Sequence, residues 1–279
     1  MPRKNEFQEM FEDTFTGYIP SPFDKRDYKL SDIAVVMGAN IIPSEYETPE
    51  LPNDKIFNQG NSSMCCACAY SALRYMQEMK IDQSGIDEMF SPTFTYGNRL
   101  KGENFEGMYI RSCLKKGQAD GSIPLSMLNG FYSTKKCQEL VNADKTKYIK
   151  AAKPFRISSY YQCNNRRSIQ QAIMETGAVI TGVWIYDCFF KPEKDTGKVK
   201  YNPLLHVKNS GGHAVLLTGW KTIRGRLWWK VLNSWGPKYG VNGYCWIPEN
   251  YPFIETPYGI VDEITETKWK DYKEQYNLQ

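Results

Sequence analysis

The chain has 279 residues, 41% hydrophobic and 24% charged, an ordinary globular composition with apolar material for one large domain or two sharing an interface. Its net charge of +4 is small, and the basic pairs Lys115-Lys116, Lys135-Lys136 and Arg166-Arg167 are scattered, which argues against the concentrated basic face of a nucleic-acid-binding protein. Eight cysteines are too few for a disulfide scaffold, two histidines are too few for a histidine-rich metal site, and no apolar run reaches the roughly 18 residues of a membrane span.

The opening Met-Pro-Arg-Lys-Asn-Glu carries early charges and no apolar h-region, so no secretory signal is read and the cytosol is the expected compartment. Residues 1–42 form a polar, aromatic-dotted lead with turn chemistry at Pro20, Pro22 and Gly38, and residues 43–60 read as loop. A helix is predicted from Cys65, where Ala69, Leu73 and Met76 recur at spacings of four and three and helix formers continue to Lys80. A second helix is predicted over 109–116, with Gly117 as its C-cap. The charged stretch 145–153 reads as a linker between a helical half, 43–150, and a second half, 151–279. There a helix over 168–175 closes at Gly177, and strand-length apolar runs follow at 178–186, 214–220, 227–232 and 244–247. Helices first and strands later predict an α+β protein with two unlike lobes.

A nucleophilic cysteine must ionise, and a free thiol has a pKa near ~8.5. Two devices lower it: the partial positive charge at a helix N-terminus and a neighbouring imidazolium. Cys65 stands where the periodic helix begins. His213 follows Asn209-Ser210-Gly211-Gly212 and leads into the apolar run, a rigid strand-end mount whose glycines allow close backbone approach. His206 lies in a loop context and reads as a surface or hydrogen-bonded residue. A catalytic imidazole needs its second nitrogen held. Asn233, closing the run at 227–232, offers a carboxamide that orients the ring without adding a full charge. The formal C-x-x-C from Cys65 to Cys68 lacks the second close pair a zinc site needs, so no metal is expected.

Asn58-Gln59-Gly60 before Cys65, then His213-Ala214-Val215, then Asn233-Ser234-Trp235-Gly236 with Tyr239-Gly240-Val241-Asn242-Gly243-Tyr244, together resemble the papain superfamily of cysteine peptidases in chain order. The pattern is nearest to bacterial and viral members. His213 and Asn233 stand 148 and 168 residues after Cys65, against ~130–150 in the family's local signature, an excess that a hairpin around Gly225 explains. The resemblance implies a papain-like two-lobe fold: a helical left lobe with a long central helix, an antiparallel β-barrel-like right lobe, and a cleft between them. It implies thiol-dependent hydrolysis of a peptide or protein substrate without a cofactor, with Cys65 as nucleophile, His213 as acid and base, Asn233 as orienter and Gln59 completing the oxyanion hole. It further implies that Trp235 shields the histidine–asparagine bond and that Glu106-Gly107 pairs with extended substrate. Met108 and Ala214 would line a pocket for an apolar side chain two positions before the cut.

The chain departs from that family where the usual Cys-Gly-Ser-Cys-Trp core reads Ser62-Ser63-Met64-Cys65-Cys66. A second register, matching Ala69-Tyr70-Ser71-Ala72 to the family's Ala-Phe-Ser-Ala, places Ala67 at the nucleophile position and leaves a silent protein or one dependent on Cys66 or Cys68. The six-residue spacing from Gln59 favours Cys65. Transamidation or ligation on the same fold, and silent peptide binding, are the rival functions. Residues 20–28 resemble the start of some bacterial members, so the lead 1–42 is expected to wrap the enzyme, either across the cleft as a regulatory segment or as a surface strap. The reading requires an accessible Cys65 sulfur in line with the ring of His213.

Overall fold

A computed structural model describes residues 17–22, 24, 41–81, 85–205, 208–262 and 269–278. Helices α1 (Cys65–Ile81), α2 (Pro92–Gly97), α3 (Ile110–Ala119), α4 (Thr134–Ala143) and α5 (Lys145–Ala152) occupy the first half, and α6 (Arg166–Thr176) and α7 (Trp269–Tyr276) the second. The strands are β1 (Tyr18–Ile19), β2 (Tyr46–Glu47), β3 (Met108–Tyr109), β4 (Ile157–Gln162), β5 (Val179–Tyr186), β6 (Lys208–Ile223), β7 (Arg226–Leu232), β8 (Tyr244–Pro248) and β9 (Tyr258–Asp262). The α+β class is as expected. The strands, however, form an open branched sheet in the order β3-β1-β6-β5-β9-β4, with β2 and β7 on β6 and β8 on β7, rather than a closed barrel.

Two hydrophobic cores flank β6, and its alternation serves both. Ala214 and Leu216 belong to the helical core around α1, whereas Val215 and Leu217 belong to a second core with Trp220, Trp229 and Tyr239. The first three and a half turns of α1 are buried on every side, including Arg74, whose guanidinium donates to Glu78 over 2.7 Å. A helix wrapped by protein on all faces is a fixed mount for its first residue. The β6–β7 hairpin turns at Arg224 and Gly225, both at positive φ, as a two-residue hairpin requires.

Two local expectations are corrected. The stretch 145–153 is largely helix rather than linker: Tyr148, Ala151 and Ala152 bury one face of α5 and its lysines take the other. Gly117 is not a C-cap but an interior residue of α3, which runs on to Ala119; a Cβ there would lie 1.7 Å from the Tyr70 hydroxyl oxygen, so close packing against α1 is the reason for glycine. α6 starts two residues earlier than read, where Asn165 accepts from Ser168 N–H as its cap, and closes as read at Gly177, φ 89°. His206 lies outside the described residues. Among the described residues all eight cysteines are unpaired and buried, no helix is long and apolar enough to cross a membrane, and no three His, Cys, Asp or Glu side chains converge as metal ligands do.

Candidate active site

Cys65 is the first residue of α1, where unsatisfied backbone amides concentrate positive potential. Burial alone would push its thiol up. Hydrogen bonding from the Cys66 thiol, contact with and charge on His213, and the Ala214 amide outweigh it, so the Cys65 thiol is held well below the ordinary range. The other seven thiols move the opposite way, all primarily through burial. Cys66 itself lies 3.0 Å from the Met108 carbonyl oxygen and is raised by burial and by its neighbour Cys65. One sulfur in eight is therefore prepared to ionise.

His213, on β6, is fully buried, and its Nε2 is 2.7 Å from Asn233 Oδ1. An amide oxygen can only accept, so Nε2 carries the proton and donates. Nδ1 makes no well-formed hydrogen bond among the described residues, so its influence on Cys65 is that of a close but imperfectly aligned contact. Asn233 follows the last residue of β7, and its Oδ1 also accepts from Ser234 N–H over 2.8 Å, which fixes the carboxamide. The Trp235 ring lies over the imidazole with centroids 4.8 Å apart. Trp235 is itself stacked on Phe190 and edge-on to Phe189 and Tyr239, so a wall of four aromatic rings keeps water from the His213–Asn233 bond.

Gln59 is buried in the loop before α1. Its Nε2 donates to the Ser62 carbonyl over 2.8 Å. Its Oε1 accepts from Ser234 Oγ over 2.6 Å, which settles which end of the amide faces the Cys65 loop.

The groove between the lobes is not open. β1 lies within it, pairing in parallel with β3 and meeting β6 at Tyr18–Gly212. The Gly17 carbonyl accepts from Met108 N–H over 2.8 Å, and a Cβ on Gly17 would sit 1.8 Å from the Ser63 carbonyl oxygen. The sulfur-bearing residue, Cys65, has no exposed surface, which contradicts the expectation of an accessible nucleophile. Gly107 (φ +92°) faces β1, where a Cβ would come within 2.6 Å of the Gly17 oxygen. Glu106 turns away, accepting from Thr134 N–H over 3.0 Å, so its side chain takes no part in the groove. Met108 and Ala214 are both buried along it.

Several residues of the site escape sequence reasoning. Phe189 and Phe190 sit in a short turn after β5, and their place beside Trp235 leaves no periodic signal. Ser234 is legible only as part of its block, not as the partner of Gln59. Tyr18 and Glu255, hydrogen-bonded over 2.6 Å across 237 positions, carry no local signature at all.

Residues 43–263 match the family of papain family cysteine proteases. The chain is 33% identical over 111 residues to cathepsin B-like cysteine proteinase 3 of Ostertagia ostertagi, covering 40% of this chain and 61% of the relative. It is 35% identical over 92 residues to a gut-specific cysteine proteinase of Caenorhabditis elegans, covering 33% and 26%. The chain thus spans less than two thirds of either relative. Among solved structures it is similar to xylellain, a cysteine protease from Xylella fastidiosa (TM-score 0.70, 22% identity, 90% of this chain and 97% of that one). It also resembles procathepsin B S9 from Trypanosoma congolense (TM-score 0.67, 17% identity, 92% and 89%). With a helix-borne cysteine, a strand-borne histidine and an asparagine on the next strand end inside this fold, the chain belongs to the papain family of cysteine proteases.

Proposed function

We propose that the protein hydrolyses peptide bonds through a Cys65 acyl-enzyme. The observation that carries this reading is the 2.7 Å bond between His213 Nε2 and Asn233 Oδ1 beside the one thiol held below its ordinary range. The Cys65 thiolate attacks the carbonyl carbon of the substrate, and the oxyanion is held by the Gln59 side-chain amide and the Cys65 N–H. Collapse breaks the C–N bond as His213 gives its Nδ1 proton to the departing amine. Water then attacks the thioester carbonyl, His213 takes its proton, and the thiolate leaves.

The N-terminal lead fits a latent form. A segment that occupies the groove and leaves Cys65 without exposed surface must move before a substrate can pair with Met108. Its parallel pairing with β3 and its close fit against Ser63 support a regulatory role over that of a surface strap.

Labelling with an epoxide or vinyl-sulfone probe in the Gly17→Ala background, which dislodges β1 from the groove, followed by peptide mapping, tests the chemistry. Modification at Cys65 that disappears in Cys65→Ala and persists in Cys66→Ala is the expected result. Turnover of a fluorogenic peptide that survives Cys65→Ala but not Cys66→Ala overturns the assignment. Product masses with and without added amines distinguish hydrolysis from transamidation.

A further inference from the structure

Gly107, at φ +92°, has no side chain to fix its own peptide, yet the next amide, Met108 N–H, points into the groove and meets the Gly17 carbonyl over 2.8 Å. What fixes this turn lies behind the strand. The Gly107 N–H donates over 2.8 Å to the hydroxyl of Tyr96, a fully buried residue of α2. That hydroxyl donates in turn to Glu106 Oε2 over 3.4 Å, and its oxygen lies 3.1 Å from Thr134 Oγ1. Glu106 Oε1 accepts from Thr134 N–H over 3.0 Å, at the first turn of α4, where a carboxylate is favoured. Thr134 Oγ1 also lies 3.0 Å from the Phe105 carbonyl. Arg99 braces the same frame: its Nε donates to the Tyr96 carbonyl and its Nη1 to the Phe105 carbonyl, each over 2.9 Å, with the guanidinium carbon 4.2 Å from the centre of the Tyr96 ring.

We propose that Tyr96 is a positioning residue: with Glu106 it pins the Gly107 peptide so that Met108 N–H faces the groove, set in advance for the backbone of an extended peptide. The inference rests on the peptidase reading above. β1 shows what that amide takes, a carbonyl of extended chain, and a substrate adding to the same edge would use it in the same way. Tyr96 acts through Gly107 rather than on the substrate, and an amide already aimed spares the ordering cost on binding. Without the hydroxyl, the buried Gly107 N–H loses its acceptor, and its peptide gains by turning towards another. A glycine opposes that turn least, so the pin matters most at this position. Phenylalanine at 96 keeps the ring beneath Arg99 and removes only the oxygen. Burial pushes the Tyr96 hydroxyl up to about 12, so at neutral pH it keeps the proton it gives to Glu106.

The test compares Tyr96→Phe and Glu106→Ala with their parent, the full-length chain carrying Gly17→Ala, on a fluorogenic peptide and on p-nitrophenyl acetate, which has no peptide backbone to pair. For Tyr96→Phe the peptide KM is expected to rise about three- to tenfold, the share of one hydrogen bond, with kcat held within about twofold and ester hydrolysis unchanged. Glu106→Ala should raise KM by less, and Glu106→Gln, which keeps an acceptor for Thr134 N–H, should stay near the parent. An unchanged peptide KM, or a fall in kcat on both substrates together, overturns the proposal. Amide exchange in the chain with Gly17 intact needs neither turnover nor an open groove. There Tyr96→Phe should speed exchange at Gly107 and Met108 by at least about tenfold while the amides of α1 keep their protection. Glu106→Ala, on an exposed side chain, carries both measurements if Tyr96→Phe does not fold. Loss of all turnover in the Gly17→Ala parent counts against the peptidase reading, whereas unchanged exchange at Met108 counts against this one.

Discussion

Ser234 and Gln59 are joined twice: Ser234 Oγ donates to Gln59 Oε1 over 2.6 Å, and Gln59 N–H donates to the Ser234 carbonyl over 2.9 Å. The residue after the histidine's partner thus holds the Gln59 amide, coupling it to the His213–Asn233 pair through one serine. Gln59→Ala is expected to lower kcat by about 10²–10³-fold. Ser234→Ala should lower it less, by roughly tenfold, because the amide is still held by Ser62. In the double variant the losses should fall short of additivity. Additive losses in steady-state kinetics would mean the two side chains act independently.

Asn233→Ala should cost more than the bond itself, since it frees the ring of His213 inside an apolar wall. The expected loss in kcat/KM is at least about 10²-fold, with partial recovery in Asn233→Gln or Asn233→Asp only if either reaches Nε2. Trp235→Ala opens that wall, and losses of about 3–5 kcal/mol in folding stability are typical for truncating a buried tryptophan. Chemical denaturation measures the second effect and kinetics the first.

The thiols give opposite pH signatures. Because the Cys65 thiol is held low, its alkylation by iodoacetamide in Gly17→Ala, where β1 no longer covers it, should continue at pH values well under the ordinary thiol pKa of ~8.5, while the other buried cysteines stay unmodified in the folded state. Cys66→Ala removes the largest of the favourable contacts, so the acid limb of the Cys65 rate should move upward in pH.

For folding stability the sign is set by the raised thiols. Cys137, Cys188 and Cys245 are each pushed up to about 12 by burial. The unfolded chain releases these protons first, so their contribution is complete below an unfolded pKa of ~8.5 and is lost as pH rises from there towards 12. Thermal midpoints should fall steadily over that window. A midpoint independent of pH from 8.5 to 11 would contradict the burial of these sulfurs.

Gly17 tests the covered groove. Gly17→Ala places a methyl against the Ser63 carbonyl and should dislodge β1, raising kcat/KM on a small fluorogenic peptide by about tenfold or more. Unchanged activity, together with unchanged activity after removal of the lead, would leave the segment as a strap without a regulatory part.

Gly117→Ala probes the α1–α3 contact. Its Cβ would collide with the Tyr70 hydroxyl, and overpacking of this kind costs about 1–3 kcal/mol. Tyr70→Phe removes the nearest colliding atom and should recover part of the loss in a urea titration.

Short-range chemistry was written plainly in the chain. The spacing of Ala69, Leu73 and Met76, the Gly177 stop of α6, and the hairpin at Gly225 each depend on residues a few positions apart, and each forms as read. The blocks around Gln59, Cys65, His213 and Asn233 were legible for the same reason, because each lies within a short segment. The misreadings came where a partner decides: Gly117 is glycine for Tyr70's sake, and residues 145–152 are helical because Tyr148, Ala151 and Ala152 have a surface to bury against. What tertiary structure alone decided is that β1 closes the groove over Cys65 and that Tyr18 meets Glu255 from the far end of the chain. Hydrogen bonds and burial act through space, and a contact spanning 237 positions leaves no periodicity or motif from which to read it.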